Sequence, residues 1–220
     1  MRHPPIVRSA LAALLSSWLA AWSPGFHEEQ TLLAARMVPR PMAGLLADYQ
    51  EDLRQGARGP GNDQVPTVED IEDQYRRILA LSGDHPRPER LVRELGILAH
   101  QVQLLMDPSA LHGDTPLRET FEAFADQERS KLVLTREAFW AVAGPLDPRP
   151  RLLQWSRTKF ERHQLLAGCA DPASGRRVGP WDDLSVPFAQ LQLAYSAGVH
   201  ATANLWILLW RAAGDQWLGE

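Results

Sequence analysis

The amino-acid sequence predicts an all-α protein that folds as a single helical domain of about seven helices. Apolar residues recur at helical spacing along the chain, and no segment alternates apolar and polar residues over a useful strand length. The chain also closes with a long run, residues 184–213, in which small and aromatic residues interleave. With 220 residues, the chain suits one domain and is long enough to bury a sizeable core.

The predicted helices follow one another along the chain and are separated by segments rich in proline and glycine. Pro39 and Pro41 divide the first two, and the third begins with acidic residues, which are favourable at a helix N-terminus. A glycine-rich loop is expected at residues 55–64, and the last helix is expected to bend near Gly198. The first three helices are predicted at residues 28–37, 42–53 and 68–81. A helix–turn–helix follows within residues 94–122, and its second helix is predicted to continue through residues 123–142. The last two helices are predicted at residues 152–166 and 184–213.

Charge and cysteine content limit the classes of function. The formal net charge of −4 argues against a general nucleic-acid binder with a basic surface, although it does not exclude a nucleic acid held at a local metal site. The chain has one cysteine, Cys169, so an internal disulfide is impossible. Most of the eight tryptophans are expected to be core anchors.

The first 21 residues have the pattern of a signal peptide. Arg2 and Arg8 precede a short apolar run that ends in small residues, and this run is too short for a membrane span. Cleavage after Ala21 would expose Trp22 as the new N-terminus of a mature domain, residues 22–220. The expected location is secreted or periplasmic, with no transmembrane segment after processing. An uncleaved N-terminal anchor and a first helix of the fold are the alternatives.

The stretch from residue 94 to residue 122 contains the candidate functional residues. His100 ends an apolar helical run, His112 follows twelve positions later, and Arg118 and Glu122 share one face of the next helix. A helix–turn–helix that directs two histidines and a carboxylate towards one point is a common way to build a metal site in helical proteins. The alternative is that His100 is a packed core histidine.

Three features of the chain resemble the zinc-dependent phospholipase C and single-strand nuclease superfamily. The first is Trp22 at the expected mature N-terminus, with His27 five residues later. The second is the spacing of His100, Pro108 and His112, and the third is the pair Phe121-Glu122. The resemblance runs from Trp22 to about residue 211 and implies an all-α domain with clustered zinc ions. It implies that the free α-amino group and carbonyl oxygen of Trp22 chelate one zinc together with His27, since a free amine offers a lone pair. The implied metal ligands are Trp22, His27, His100, His112, Glu122 and, within the glycine-rich loop, Asp63.

Other ligand positions of this superfamily are replaced in the chain. A histidine before the third helix corresponds to Thr67, the aspartate one turn after His100 corresponds to Leu104, and a histidine before Glu122 corresponds to Arg118. Arginine stays protonated and cannot act as a ligand, so an ion pair with Glu122 is expected, with a bidentate phosphate contact as the alternative. The resemblance therefore implies fewer than three zinc ions, or none.

Two functions follow from this pattern. The first is an exported, phospholipase C-like relative of zinc-dependent phosphodiesterases with weak or no catalysis. The alternative is an active metal-dependent phosphodiester hydrolase that uses a reduced site on phospholipid or nucleic acid, with metal ions activating water. A cytosolic helical protein with a fortuitous start is a third possibility. The sequence indicates no particular protein partner.

Overall fold

The structure, a computed structural model, describes residues 24–59, 65–84, 86–111, 115–135 and 139–214, and it confirms the prediction of an all-α single domain. Within these residues the only β-type pairing is an isolated bridge between Ala170 and Arg177. Two short 3-10 helices, Arg129–Lys131 and Trp140–Val142, accompany the α-helices. The α-helices are α1 (Pro24–Ala35), α2 (Arg40–Asp48), α3 (Gln50–Ala57), α4 (Val68–Gly83), α5 (Pro88–Met106), α6 (Thr115–Glu128), α7 (Arg149–Ala167) and α8 (Val186–Ala213).

Local sequence signals explain where several helices begin. Thr67 precedes α4 and forms a capping box with Asp70: the Asp70 backbone N–H donates to the Thr67 hydroxyl, and the Thr67 N–H donates to the Asp70 carboxylate. Ser185 accepts from the Phe188 N–H in the same way at the start of α8. Proline stands in the first turn of α5, α7 and α8, where its missing N–H costs nothing.

The hydrophobic core lies in two clusters along α8. The larger cluster packs α8 against α5 and the first four helices, with Trp206 fully buried and its indole N–H donating to the Leu95 carbonyl at 3.3 Å. The smaller cluster joins the start of α1 to α6 and α8 through aromatic side chains, including Phe26 and Trp181. His200 on α8 is buried.

Helices α3 and α5 approach each other closely because glycines face each other across their contact. A Cβ built on Gly56 would lie 2.2 Å from the Arg93 carbonyl oxygen and 2.8 Å from the Gly96 Cα. A Cβ built on Gly96 would likewise lie 2.4 Å from the Leu53 carbonyl oxygen. Because of this contact, the C-terminal end of α3 lies against the middle of α5, beside His100.

The structure corrects three of the predicted boundaries. The helix predicted at residues 42–53 is divided at Tyr49, whose backbone leaves the helical region with φ −114° and ψ 38°. The loop predicted from residue 55 begins later, because α3 continues to Ala57. The helix predicted through residues 123–142 ends at Glu128. The Val133 N–H donates to the Gln192 side chain and the Thr135 N–H donates to the Ser196 hydroxyl. These bonds hold the backbone at Val133 and Thr135 extended along α8. Among the described residues, no helix is long and apolar enough to cross a membrane.

Candidate functional site

A cavity of about 630 Å³ opens between α3, α4 and α5 and contains the central residue of the sequence prediction. His100 and Leu104, one helical turn apart on α5, both line it. The opposite side is formed by α4, which contributes Gln74 and Arg77, and the cavity is closed on a third side by Gly59. An imidazole and an apolar side chain therefore stand together on the wall where the resemblance implies an imidazole and a carboxylate.

His100 is buried, with 4 % of its surface exposed. Burial lowers the pKa of His100 to about 4, although a hydrogen bond to the backbone carbonyl of Ala57 opposes this shift. Gly59 has a φ of +72°, and a Cβ there would lie 2.4 Å from the His100 Nε2, so glycine suits this position on both grounds. Nδ1 of His100 has no hydrogen-bond partner among the described residues. The ring is therefore neutral near pH 7, which is the form that can ligate a metal ion.

His27 lies directly against His100, although the two are far apart in the sequence. The ring centroids are 4.5 Å apart, the planes meet at 64°, and His27 is buried. The His27 Nδ1 lies 2.7 Å from the Gln103 Oε1, and the Gln103 amide donates to the Thr31 hydroxyl at 2.9 Å. With the Gln103 amide in this orientation, Nδ1 of His27 carries the proton and donates it, so its Nε2 is a lone-pair nitrogen. Two of the predicted ligands are thus brought together.

Glu122 and Arg118 form the predicted ion pair on α6. The Arg118 Nε donates to the Glu122 Oε1 at 2.8 Å, and both side chains are largely shielded from solvent. The carboxylate that the resemblance assigns to a zinc ion therefore has a guanidinium partner from its own helix. Thr67, at another replaced ligand position, is occupied as the cap of α4.

A buried charged cluster next to this region was not predicted as a group. Asp107 is fully buried and accepts from the Ser109 backbone N–H and hydroxyl, at 2.8 and 2.7 Å. Lys159, on α7, is 4 % exposed and donates to the Leu104 carbonyl at 2.9 Å. Burial raises the pKa of Asp107 and lowers that of Lys159 to about 8, and in each case the charge of the other residue opposes the shift. A sequence signal existed, because Lys159 stands midway between Leu152 and Leu166 on the buried stripe of α7.

The described residues hold only part of the ligand set that the resemblance implies. They contain no group of three or more His, Cys, Asp or Glu side chains that could hold a metal ion. His27 and His100 offer two imidazoles, fewer than the three protein ligands of a catalytic zinc ion. The remaining predicted ligands, Trp22, Asp63 and His112, lie outside the described residues.

Comparison with known proteins adds no assignment. No protein-family model, curated protein or solved structure matches this chain. The function is therefore argued from the cavity at His100 and from the chemistry of the residues around it.

Proposed function

We propose that this chain is an exported, non-catalytic relative of the zinc-dependent phospholipase C and nuclease superfamily, which binds a phosphate-bearing molecule in the His100 cavity without hydrolysing it. The observation that carries the proposal is the wall of the cavity, where Leu104 follows His100 by one helical turn. Metal-assisted hydrolysis of a phosphodiester requires ions that activate water and stabilise charge on the phosphate. A leucine offers those ions no oxygen.

The ion pair on α6 supports the same conclusion. A metal ion that used Glu122 would have to compete with Arg118, whose Nε is already 2.8 Å from the carboxylate. Arginine also adds a fixed positive charge, which disfavours a cation nearby and favours an anion. Arg118, like Leu104 on α5, therefore weakens metal binding. It leaves the capacity to attract phosphate.

The charges around the cavity favour an anionic ligand. The two acidic residues in the described part of its lining are occupied by neighbours, since Asp70 accepts from the Thr67 N–H and hydroxyl, both at 2.8 Å, and Asp73 accepts from Arg76 at 2.7 Å. The arginine Arg77 stands on the same wall. A phosphate in the cavity would thus meet the Arg77 and Arg93 guanidinium groups, while Asp73 is paired with Arg76 and Asp70 is held as the cap of α4.

The proposal is tested by zinc analysis together with a chromogenic phosphodiester, bis(4-nitrophenyl) phosphate. We expect one zinc ion or none per mature chain, saturable binding of the phosphodiester, and no release of 4-nitrophenol when zinc is added. Arg77→Gln should weaken binding, whereas the matched control Arg157→Gln, outside the cavity, should leave it unchanged. Turnover that His100→Ala abolishes would refute the non-catalytic function.

Export is tested separately on the native product. The mature protein should begin at Trp22 and be recovered outside the cytoplasm. An intact Met1 on the purified native product would contradict export while leaving the binding test of the cavity unaffected.

The contact between His27 and His100 favours one second candidate, an active hydrolase with a reduced metal site. Two imidazoles in contact, one of them oriented by Gln103, are a partial ligand set. Two or more tightly held zinc ions in the wild-type protein would favour this candidate. The double variant Leu104→Asp, Arg118→His restores two ligand types, and we expect it to bind more zinc than the wild type.

A further inference from the structure

A second cavity, of about 220 Å³, lies between α7, α8 and the 3-10 helix Trp140–Val142. Among the described residues, none lines both this cavity and the His100 cavity. One wall is aromatic and the other is polar, and small side chains from α8 leave the space between them open. Its lining residues are Trp140, Arg151, Gln154, Trp155, Ala197, His200, Ala201 and Asn204.

His200 gives this cavity a buried hydrogen-bond acceptor. The side chain is 4 % exposed, and its Nε2–H donates to the Thr135 carbonyl oxygen at 2.7 Å. Because a carbonyl oxygen can only accept, this bond fixes the proton on Nε2 and leaves Nδ1 with a lone pair. Nδ1 has no hydrogen-bond partner among the described residues. A buried acceptor without a partner costs free energy, and a ligand that donates a proton to it would recover that cost.

Arg151 gives the cavity a positive charge in a fixed position. Its guanidinium lies over the Trp140 ring, 5.2 Å from the centroid, and donates to the Gln154 side-chain oxygen at 2.9 Å. These two contacts orient the group and leave other N–H donors for a ligand. Arg151 is the one charged residue among the described residues that line the cavity, and the electrostatic complement of its guanidinium is an anion.

The two tryptophans provide an apolar surface next to this charge. The ring centroids of Trp140 and Trp155 are 6.2 Å apart, and their planes meet at 59°. A cavity of 150 Å³ accommodates benzene, so a volume of about 220 Å³ has room for roughly nine non-hydrogen atoms. The ligand that fits is therefore small, with an apolar part of about one ring.

We propose that this cavity binds a small carboxylic acid that also carries a hydroxyl group, with the carboxylate at Arg151, the hydroxyl donating to Nδ1 of His200 and the apolar part against the two tryptophans. Each part of the ligand matches one unsatisfied feature of the cavity: a charge, a lone pair and an aromatic wall. The site is independent of the proposed function at His100, because the two cavities have separate walls.

The test uses three probes, 4-hydroxybenzoate, benzoate and phenol, titrated into the full-length mature protein by calorimetry. 4-Hydroxybenzoate should bind with a stoichiometry of one. Benzoate lacks the donor to His200 and should bind about two- to tenfold more weakly, the loss expected for one neutral hydrogen bond. Phenol lacks the charge and should bind at least about tenfold more weakly.

Variants locate the probe within the molecule. Arg151→Gln should weaken 4-hydroxybenzoate at least about tenfold, whereas Arg157→Gln, an exposed arginine on the same helix, should leave affinity unchanged. Ala197→Leu fills the cavity from α8 and should abolish binding, with an unchanged circular dichroism spectrum as the control for folding. Arg77→Gln in the other cavity should have no effect.

Three outcomes would overturn the inference: no saturable binding of 4-hydroxybenzoate at millimolar concentration, equal affinity in Arg151→Gln and Arg157→Gln, or affinity lost in Arg77→Gln and kept in Ala197→Leu. The last result would assign the probe to the His100 cavity. Equal binding of benzoate and 4-hydroxybenzoate would refute the role given to His200.

Discussion

The contact between α3 and α5 makes a sharp prediction for Gly56→Ala. The added Cβ would lie 2.2 Å from the Arg93 carbonyl oxygen, and 2.8 Å from both the Gly96 Cα and the Ile97 nitrogen. All three atoms belong to the backbone, so no side-chain rotation can relieve the overlap. Restoring an ordinary contact of 3.4 Å requires the helices to separate by about 1.2 Å, the difference between 3.4 and 2.2 Å.

The cost of that separation can be worked out from the packing. A gap of 0.5–1 Å removes about a quarter to a half of the dispersion attraction between the atoms that face each other, and overpacking of a core costs about 1–3 kcal/mol or more. We expect Gly56→Ala to lower the free energy of unfolding by about 3 kcal/mol, at the upper end of that range, because backbone meets backbone. For a chain of this size the midpoint of thermal unfolding should fall by about 6–12 °C.

Gly44→Ala is the matched control. Gly44 is an exposed residue inside α2, and a Cβ there would have no neighbour within 4 Å. The same substitution should therefore stabilise the protein, by about 0.5–1 kcal/mol, since alanine loses less backbone entropy than glycine in a helix. Urea and thermal unfolding of both variants measure the two effects. A Gly56→Ala protein as stable as the wild type would refute the close approach of α3 and α5.

Three further predictions concern individual side chains and are checked by urea unfolding. Because burial lowers the pKa of His100 to about 4, the unfolded chain binds more protons than the folded one between pH 4 and pH 6.5, so the contribution of His100 to the free energy of unfolding is lost as the pH falls through that range. His100→Gln should reduce this acid-induced loss of stability by up to about 3 kcal/mol. Equal losses of stability in the variant and the wild type would contradict a buried neutral ring. Lys159→Met should cost about 1–3 kcal/mol near pH 7, because it removes the donor to the Leu104 carbonyl and the larger of two positive charges acting on Asp107. Adding Asp107→Asn should recover part of that cost, whereas additive losses would exclude coupling. Thr67→Ala should cost about 0.5–2 kcal/mol through the lost cap of α4, and Thr67→Ser should retain most of the stability.

The fold could be predicted because its main signals are local. Apolar residues at helical spacing indicated each long helix, and proline or a capping residue marked several of their starts. The prediction failed for residues 129–135 and 139–142, where the sequence alone favours a continued α-helix. The bonds that hold this segment extended come from Gln192 and Ser196 on α8, about sixty positions away, and no local pattern reports them.

The candidate site could be predicted only where its residues are close in sequence or matched by the resemblance. The ion pair between Arg118 and Glu122 follows from spacing of four on one helix, and the structure confirms it. The interaction of Asp107 with Lys159 was missed, because helices α5 and α7 bring these residues together across about fifty positions. The cavity at His200 was missed for the same reason, since three elements distant in sequence form its walls.

The three positions where the resemblance implies other residues as metal ligands, Thr67, Leu104 and Arg118, have a common physical property. Thr67 is satisfied by its own helix as a cap, Arg118 satisfies Glu122 on the same helix, and Leu104 is 2 % exposed and packs beside a histidine whose burial keeps it neutral. In a metal centre the ligands' lone pairs and charges are compensated by the cation, so folding and metal binding are coupled. Here these residues compensate one another or need no partner. The side chains at these three positions therefore require no cation to satisfy them.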